Sequence, residues 1–215
     1  MGGVRVGILG TDAGVRGGTG AADSNDVLAG GDPPGTLGVD SADAMSAGKI
    51  EYVTKDWDPD SPKSTEPIVV SGATIDQVLR ALNRLPEWGQ GGGVLKLAIP
   101  ADFAGSHSVT LSANLVRRLP EWKQYDSARD AEKAAWNHMF RKLTDHEDRH
   151  VEIAVEEAGK LADALIGQTP AEAARTVAAA NRRLEGRQKR LDDDTDHGSR
   201  TGVKYGDVIL DLSHT

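Results

Sequence analysis

The chain of 215 residues contains no cysteine, so it forms no disulfide bond and offers neither a thiolate metal ligand nor a thiol nucleophile. It carries 25 Lys and Arg against 33 Asp and Glu, and this net charge of −8 argues against a nucleic-acid-binding protein. Only 4% of the residues are aromatic, so a core must depend on Leu, Val, Ile and Ala. The length suits one domain with an appendage, or two small domains.

Long hydrophobic runs are missing as well. No apolar stretch approaches the ~18–20 residues that cross a bilayer, so no membrane span is expected. The opening sequence, MGGVRVGILGTDAG, has no apolar segment of the usual signal-peptide length. The expectation is a cytoplasmic protein, or an exported one whose signal has been removed, and the lack of cysteine is compatible with both.

Residues 1–48 contain 13 of the 25 glycines and show no hydrophobic periodicity. This composition predicts a flexible or loosely packed arm, followed by a domain of residues 49–215. The run VRVGILG at 4–10 could form one strand. The glycines after it do not make a dinucleotide-binding fingerprint, because no G-x-G-x-x-G precedes a helical pattern.

The first part of the domain alternates apolar and polar residues as half-buried strands do. The pattern predicts strands at 49–57, 67–72, 94–100 and 108–116, with a hairpin loop between the last two. Thr74 is the predicted cap of an amphipathic helix that begins at Ile75. This helix ends before the glycine-rich sequence PEWGQGGG, and LPEW at 119–122 closes the section.

The rest of the domain is predicted to be helical. Asp126 or Ser127 can cap a long helix that reaches about Ile166. The sequence Thr169-Pro170-Ala171-Glu172 is a capping box that starts a second helix, which runs to about residue 191 and makes an antiparallel helical hairpin. A turn (DDDTDHGSRTG) and a last strand at 208–212 follow. The predicted fold is therefore α+β, with a small antiparallel sheet packed beside the helical hairpin.

The sequence His146-Glu147-Asp148-Arg149-His150 has the H-E-x-x-H pattern of zinc hydrolases. Two histidines four residues apart lie on one helix face and can share a metal at Zn–N distances of about 2.0–2.1 Å. Glu147 then lies where it can take a proton from water activated by the metal. The alternative is a salt-bridged helix face that carries two exposed histidines.

A catalytic zinc usually has three protein ligands, so the third ligand discriminates between these interpretations. Glu156 has the spacing of the third metzincin ligand, but that spacing needs a glycine where this chain has Ile153. Glu157 shares the histidine face but is about 10 Å further along the axis. It could support a ligand or simply be solvated.

His197 is better placed, because the return helix brings the chain back to His146 and His150, and Gly198 gives the turn conformational freedom. The prediction is a zinc site of His146, His150 and His197, since three imidazoles suit zinc better than calcium or magnesium.

Several other polar residues are candidates for supporting roles. Arg200 and Tyr205 follow the third ligand and could donate a hydrogen bond to an oxyanion, or be ordinary surface residues. Asp194, Asp196 or Glu157 could orient a ligand imidazole. The Asp run 192–194 is otherwise expected to be a solvated acidic turn. His138 is expected to be a packing or surface residue, and His107 in the hairpin loop and His214 near the C-terminus are expected to be solvated.

Four motifs in order resemble a bacterial family, domain of unknown function 922, whose members are classed as zinc-dependent proteases from their HExxH motif. They are VVSG (69–72), LPEW (119–122), HEDRH (146–150) and TDHG (195–198), within a resemblance that covers roughly residues 66–203. The resemblance implies zinc ligation by His146, His150 and His197, with Glu147 as catalytic base. The glycine-rich arm lies outside it.

The expected arrangement is zincin-like, with the helical hairpin carrying the HExxH zinc site. The expected function is that of a zinc-dependent hydrolase, a metalloendopeptidase acting on a peptide or protein substrate. The strands within 94–116 could pair with an extended peptide. Two alternatives stay open. The zinc site could be structural, in a non-catalytic binding or assembly module. The chain could also be a toxin-like peptidase that acts on one protein and on no generic substrate. The oligomeric state is left open.

Overall fold

A mixed β-sheet and a long helical hairpin form the two layers of the protein, seen in a computed structural model that describes residues 7–8, 48–58, 60, 63–64 and 66–212. Apart from Gly7–Ile8 and Gly48, the predicted N-terminal arm lies outside the described residues, as does His214. None of the helices in the described ranges is long and apolar enough to cross a membrane.

The main sheet has the strand order β1-β5-β6-β2, with β3 also paired to β6. Only β5 and β6 are antiparallel, whereas β1, β2 and β3 are parallel to their partners. The prediction of an antiparallel sheet was therefore wrong: a hairpin joins β5 to β6, but β2 reaches β6 through a long crossover, which parallel pairing requires. The strands are β1 (Gly7–Ile8), β2 (Tyr52–Asp56), β3 (Lys63–Ser64), β4 (Ile68–Val70), β5 (Gln90–Ala98), β6 (Ser108–Arg118) and β7 (Pro120–Trp122).

The predicted strands at 49–57, 67–72, 94–100 and 108–116 are thus confirmed with shifted bounds. The predicted strand at 208–212 is wrong, because this segment pairs with no strand among the described residues. Val208 and Leu210 are nevertheless buried in the core. The segment is irregular coil that packs against the helices. It buries every second residue, as a strand would.

The described residues form four α-helices beside the sheet: α1 (Ile75–Leu82), α2 (Phe103–Ser106), α3 (Asp130–Leu165) and α4 (Pro170–Thr195). The short connection 166–169 makes α3 and α4 antiparallel, as predicted. The capping box is confirmed, since the Thr169 hydroxyl accepts the Glu172 N–H (3.4 Å) and the Glu172 carboxylate accepts the Thr169 N–H (2.8 Å). Helix α4 continues past the predicted end near residue 191 and takes in residues 192–195.

The start of α3 differs from the prediction. Asp126 and Ser127 lie in a separate 3-10 turn, and Arg129 is the residue that precedes α3. Thr74 does precede α1, but its side chain makes no capping hydrogen bond. Instead, the carboxylate of Glu132 on α3 accepts the Ile75 N–H (3.0 Å), so a tertiary contact performs the capping.

Replacing Glu132 by Gln should remove a stabilising contribution that depends on pH. The hydrogen bond from the Arg129 side chain, followed by that from the Ile75 N–H, lowers the pKa of Glu132 from its ordinary 4.5 to about 2. A depressed native-state pKa stabilises the fold above the ordinary value, and the effect disappears as the pH falls towards 2. Urea unfolding should show the parent more stable than the variant at pH 7, with a difference that shrinks below pH 4.5. A difference independent of pH would contradict this assignment.

The motifs VVSG and LPEW meet in the structure. Strand β4 pairs in parallel with β7, and the Trp122 indole N–H donates to the Gly72 carbonyl (2.7 Å). A Cβ at Gly72 would lie only 2.7 Å from the backbone nitrogen of Val78, so glycine allows α1 to approach. These motifs therefore contribute to a hydrophobic cluster that packs against the first half of α3 and includes Val70, Trp122, Trp136 and Met139.

Strand β5 begins at Gln90, four residues before the predicted strand at 94–100, and includes the three glycines 91–93. Helix α3 packs directly on these residues. A Cβ at Gly91 would lie 2.3 Å from the carbonyl oxygen of Glu147, and one at Gly93 would lie 3.1 Å from the Cβ of Ala154. Glycine within a strand often marks such a close approach of another element.

Replacing Gly91 by Ala should therefore force α3 away from β5 and lower the free energy of unfolding by about 1–3 kcal/mol. The matched control is Gly186→Ala in α4, where an added Cβ would meet no heavy atom within 4 Å. That change should stabilise the protein by roughly 0.5–1 kcal/mol, the usual gain for alanine over glycine in a helix. Urea denaturation of both variants checks the pair. Equal effects would contradict the close packing of α3 on β5.

Candidate metal centre

The H-E-x-x-H pentad lies on the side of α3 that faces α4 and β5. His146, Glu147 and His150 are each 0% exposed, and so is Asp192 of α4. Asp192 belongs to a buried stripe along α4 that changes from apolar to polar near the C-terminal end of the helix, where it faces the pentad. The stripe consists of Ala173, Val177, Ala180, Leu184, Gln188, Asp192 and Thr195.

Three ligand-type atoms converge between α3 and α4. His150 Nε2 lies 3.1 Å from Asp192 Oδ1 and 3.2 Å from His146 Nε2, and His146 Nε2 lies 3.4 Å from Asp192 Oδ1. A tetrahedral zinc ion with bonds of about 2.0–2.1 Å separates its ligand atoms by about 3.3 Å. The His-His-Asp cluster (His146, His150 and Asp192) therefore has the donor spacing of a zinc site.

The histidines are held in the form that binds metals. His146 Nδ1–H donates to the Tyr205 carbonyl oxygen (2.9 Å), and because a carbonyl only accepts, Nε2 keeps a free lone pair. Such a bond to the outer ring nitrogen commonly orients a metal-binding histidine. Burial lowers the pKa of His150 despite the opposing effect of Asp192, which favours its neutral form.

The charge of Asp192 supports the same interpretation. Burial raises the pKa of this carboxyl, but the adjacent side chains of His146 and His150 outweigh burial, so the net pKa is lowered and the ionised carboxylate is favoured. Its second oxygen, Oδ2, is buried and has no hydrogen-bond partner in the described part of the chain. A buried carboxylate beside neutral imidazoles is costly unless a cation compensates it. The donor set thus fits a divalent ion.

Glu147 lies next to the cluster, and its carboxyl group is fully buried. Neither of its buried oxygens has a hydrogen-bond partner among the described residues, and Gly89 and Gly91 make room for them. Burial, and then the negative charges of Asp192, Glu87 and Asp148, raise its pKa well above the ordinary 4.5. A carboxyl with a raised pKa is suited to general acid–base chemistry near neutral pH.

His197, the predicted third ligand, lies close to the cluster but does not join it. A Cβ at the adjacent Gly198 would lie 3.5 Å from His146 Nδ1, which places the turn at 197–198 beside the cluster. The Nδ1 of His197 is buried and unpaired with any described residue, and its backbone is left-handed (φ 51°). The third converging ligand atom belongs to Asp192 instead. Ligation by His197 stays a prediction.

Asp192 is the main residue that sequence reasoning missed. It was assigned to a solvated acidic turn, and this is wrong, since it is helical and fully buried. A signal was present: Leu184, Gln188 and Asp192 are spaced four apart and continue the buried face of α4. The neighbouring acidic residues, Asp193 and Asp194, are exposed.

Tyr205 and Arg200 have different surroundings. Tyr205 supplies the carbonyl that orients His146, and its ring centroid lies 5.9 Å from the Arg149 guanidinium carbon. Arg200 is exposed, and its guanidinium donates to the Asp193 carbonyl (3.3 Å) near the end of α4. An oxyanion role for either residue stays a prediction.

The other candidates have partners of their own. The buried Glu157 accepts from Arg187 (2.9 Å) and also pairs with Lys160 and Arg183 (3.4 Å each), so it ties α3 to α4. Asp196 accepts from the Ser199 hydroxyl (2.7 Å). His107 and His138 are both half-buried.

Fold and site define an α+β protein in which a mixed sheet supports a helical hairpin with a buried His-His-Asp cluster. Residues 65–198, more than half of the chain, match the family described as "Bacterial protein of unknown function (DUF922)". The chain belongs to this family. No curated protein and no solved structure matches the chain.

Proposed function

We propose that this protein is a zinc-dependent hydrolase, specifically a metalloendopeptidase that cleaves peptide bonds. One observation carries the proposal: ligand-type atoms of His146, His150 and Asp192 lie within 3.4 Å of one another, beside the buried carboxyl of Glu147. A metal site with three protein ligands and an adjacent carboxyl is the arrangement of catalytic zinc hydrolases.

In this proposal His146, His150 and Asp192 hold the ion, with His146 kept in its ligand tautomer by the Tyr205 carbonyl. When bound, zinc supplies a Lewis acid that polarises the scissile carbonyl and acidifies water. Glu147 accepts the proton of the attacking water and passes it to the leaving amine nitrogen, a role that suits its raised pKa. The low-dielectric surroundings strengthen each of these interactions.

A second candidate is a structural metal site in a binding or assembly module. The observation that favours it is the burial of all four side chains, since structural zinc sites are closed and catalytic ones keep an open position. The ion would then clamp α3 against α4. Glu147 would have no chemical task in such a module.

The proposal is tested by incubating zinc-loaded protein, with its metal content measured, with a mixed peptide library and analysing the products by mass spectrometry. A hydrolase cleaves library peptides, loses this activity to a chelator and regains it when zinc is restored. A zinc-loaded protein that cleaves no peptide would favour the structural site. If it still cleaved one full-length protein, it would be a peptidase with a single target.

A further inference from the structure

A cleft of about 200 Å³ lies between α4 and β5, and Gly93, Asn181 and Gln188 are among its lining residues. Gln188 belongs to the same buried stripe as Asp192 and precedes it by one helical turn. The cleft thus reaches from the surface to a residue that adjoins the His-His-Asp cluster.

Gln188 also adjoins Glu147 through the glycines of β5. A Cβ at Gly92 would lie 3.1 Å from Gln188 Nε2, and one at Gly91 would lie 2.8 Å from Glu147 Oε2. Consecutive residues of one strand therefore contact the two side chains. The amide of Gln188 therefore lines the cleft and lies against the strand residue next to the one that contacts Glu147.

The amide of Gln188 has an unused donor. The residue is 2% exposed, yet its Nε2 has no hydrogen-bond partner among the residues that the structure describes. Asn181, two turns earlier in α4, shows the opposite arrangement. Its Oδ1 accepts the Leu95 N–H (3.0 Å) and its Nδ2 donates to the Leu95 carbonyl (2.9 Å). A buried donor without a partner costs stability, and a bound ligand that accepts a hydrogen bond would remove this cost.

We propose that Gln188 is a catalytic residue whose Nε2–H donates a hydrogen bond to the scissile carbonyl oxygen of a peptide lying in the cleft. This inference rests on the proposed hydrolase function. As the carbonyl carbon becomes tetrahedral, negative charge develops on that oxygen, and a fixed donor in a buried site stabilises it. The role is the one that sequence reasoning assigned to Tyr205 or Arg200.

The test is Gln188→Met, which keeps the length of the side chain and removes the donor. In the zinc-loaded variant, kcat on library peptides should fall about 10²–10³-fold while KM stays within about threefold of the parent. The zinc content should be unchanged. Because an unpaired buried amide is removed, Tm should rise by about 2–6 °C.

Asn181→Leu is the matched variant for stability, since it removes an amide from the same face of α4. Its Tm should fall, because the N–H and carbonyl of Leu95 lose their partners. If Gln188→Met cleaves peptides like the parent, or lowers Tm as Asn181→Leu does, the inference about Gln188 is overturned and the hydrolase proposal stands. If the zinc-loaded parent cleaves no peptide, the hydrolase proposal falls and the inference falls with it.

Discussion

Replacing Asp192 by Ala is expected to lower the affinity for zinc by more than about 100-fold. Loss of an outer-shell partner typically costs about 10–100-fold, and loss of a ligand should cost more. The variant leaves His146 and His150 to bind the ion alone and removes the only carboxylate oxygen of the cluster. Competition with a chromophoric chelator measures the affinity, and elemental analysis measures the zinc retained after purification.

Two variants make this result specific. Asp193→Ala removes the next carboxylate of α4, which is exposed and bound to Lys189 (2.7 Å), and it should leave zinc affinity unchanged. His197→Ala should reduce the affinity less than Asp192→Ala does, because its ring nitrogens do not join the cluster. If His197→Ala loses the metal and Asp192→Ala retains it, the three-histidine site predicted from the sequence is the correct one.

Replacing Glu147 by Gln is expected to abolish peptide cleavage while the protein keeps its zinc. The variant preserves the shape of the side chain but cannot accept a proton, and general base catalysis contributes about 10²–10⁴-fold to a rate. The measurement combines kcat on library peptides with zinc content for parent and variant. Near-equal zinc content and a kcat lowered by that factor would assign Glu147 to the chemistry.

The matched control is Glu152→Gln, which changes a carboxylate of the same helix that is 58% exposed and paired with Arg149. Its kcat should equal that of the parent, since exposed ion pairs of this kind contribute little. Glu147→Gln also separates the two candidate functions. If the zinc site is structural, the Glu147→Gln protein should keep both its metal and the function of the parent. That result would contradict the hydrolase proposal.

The burial of the cluster has a consequence for substrate entry. His146, Glu147, His150 and Asp192 are all 0% exposed, so the proposed peptide substrate would reach them only if elements around the cluster, such as α4 and β5, separated locally. The cleft beside Gln188 lies along that boundary. Contacts that tie α4 to β5 in the closed arrangement, such as the Asn181 amide on Leu95, would have to yield.

Features encoded over short stretches could be predicted from the sequence. The β5–β6 hairpin and the two long helices depend on local hydrophobic periodicity. The capping box at Thr169 depends on side chains that form hydrogen bonds with the backbone close to them in sequence. The HExxH pentad needs only a helix to bring its histidines onto one face. The motifs VVSG and LPEW are short enough to be recognised from the sequence, although their contact joins Trp122 to Gly72, 50 residues away.

By itself, the sequence determined the α+β class, the helical hairpin and the two histidines of the pentad, because each depends on neighbours within one or two turns. Only the tertiary structure decided that Asp192 faces these histidines, that the glycines of β5 make room for Glu147, and that Gln188 has an unused donor. An acidic residue looks solvated unless the partner helix is known. Whether a polar side chain is buried, and whether it is paired, depends on the distant elements that pack against it.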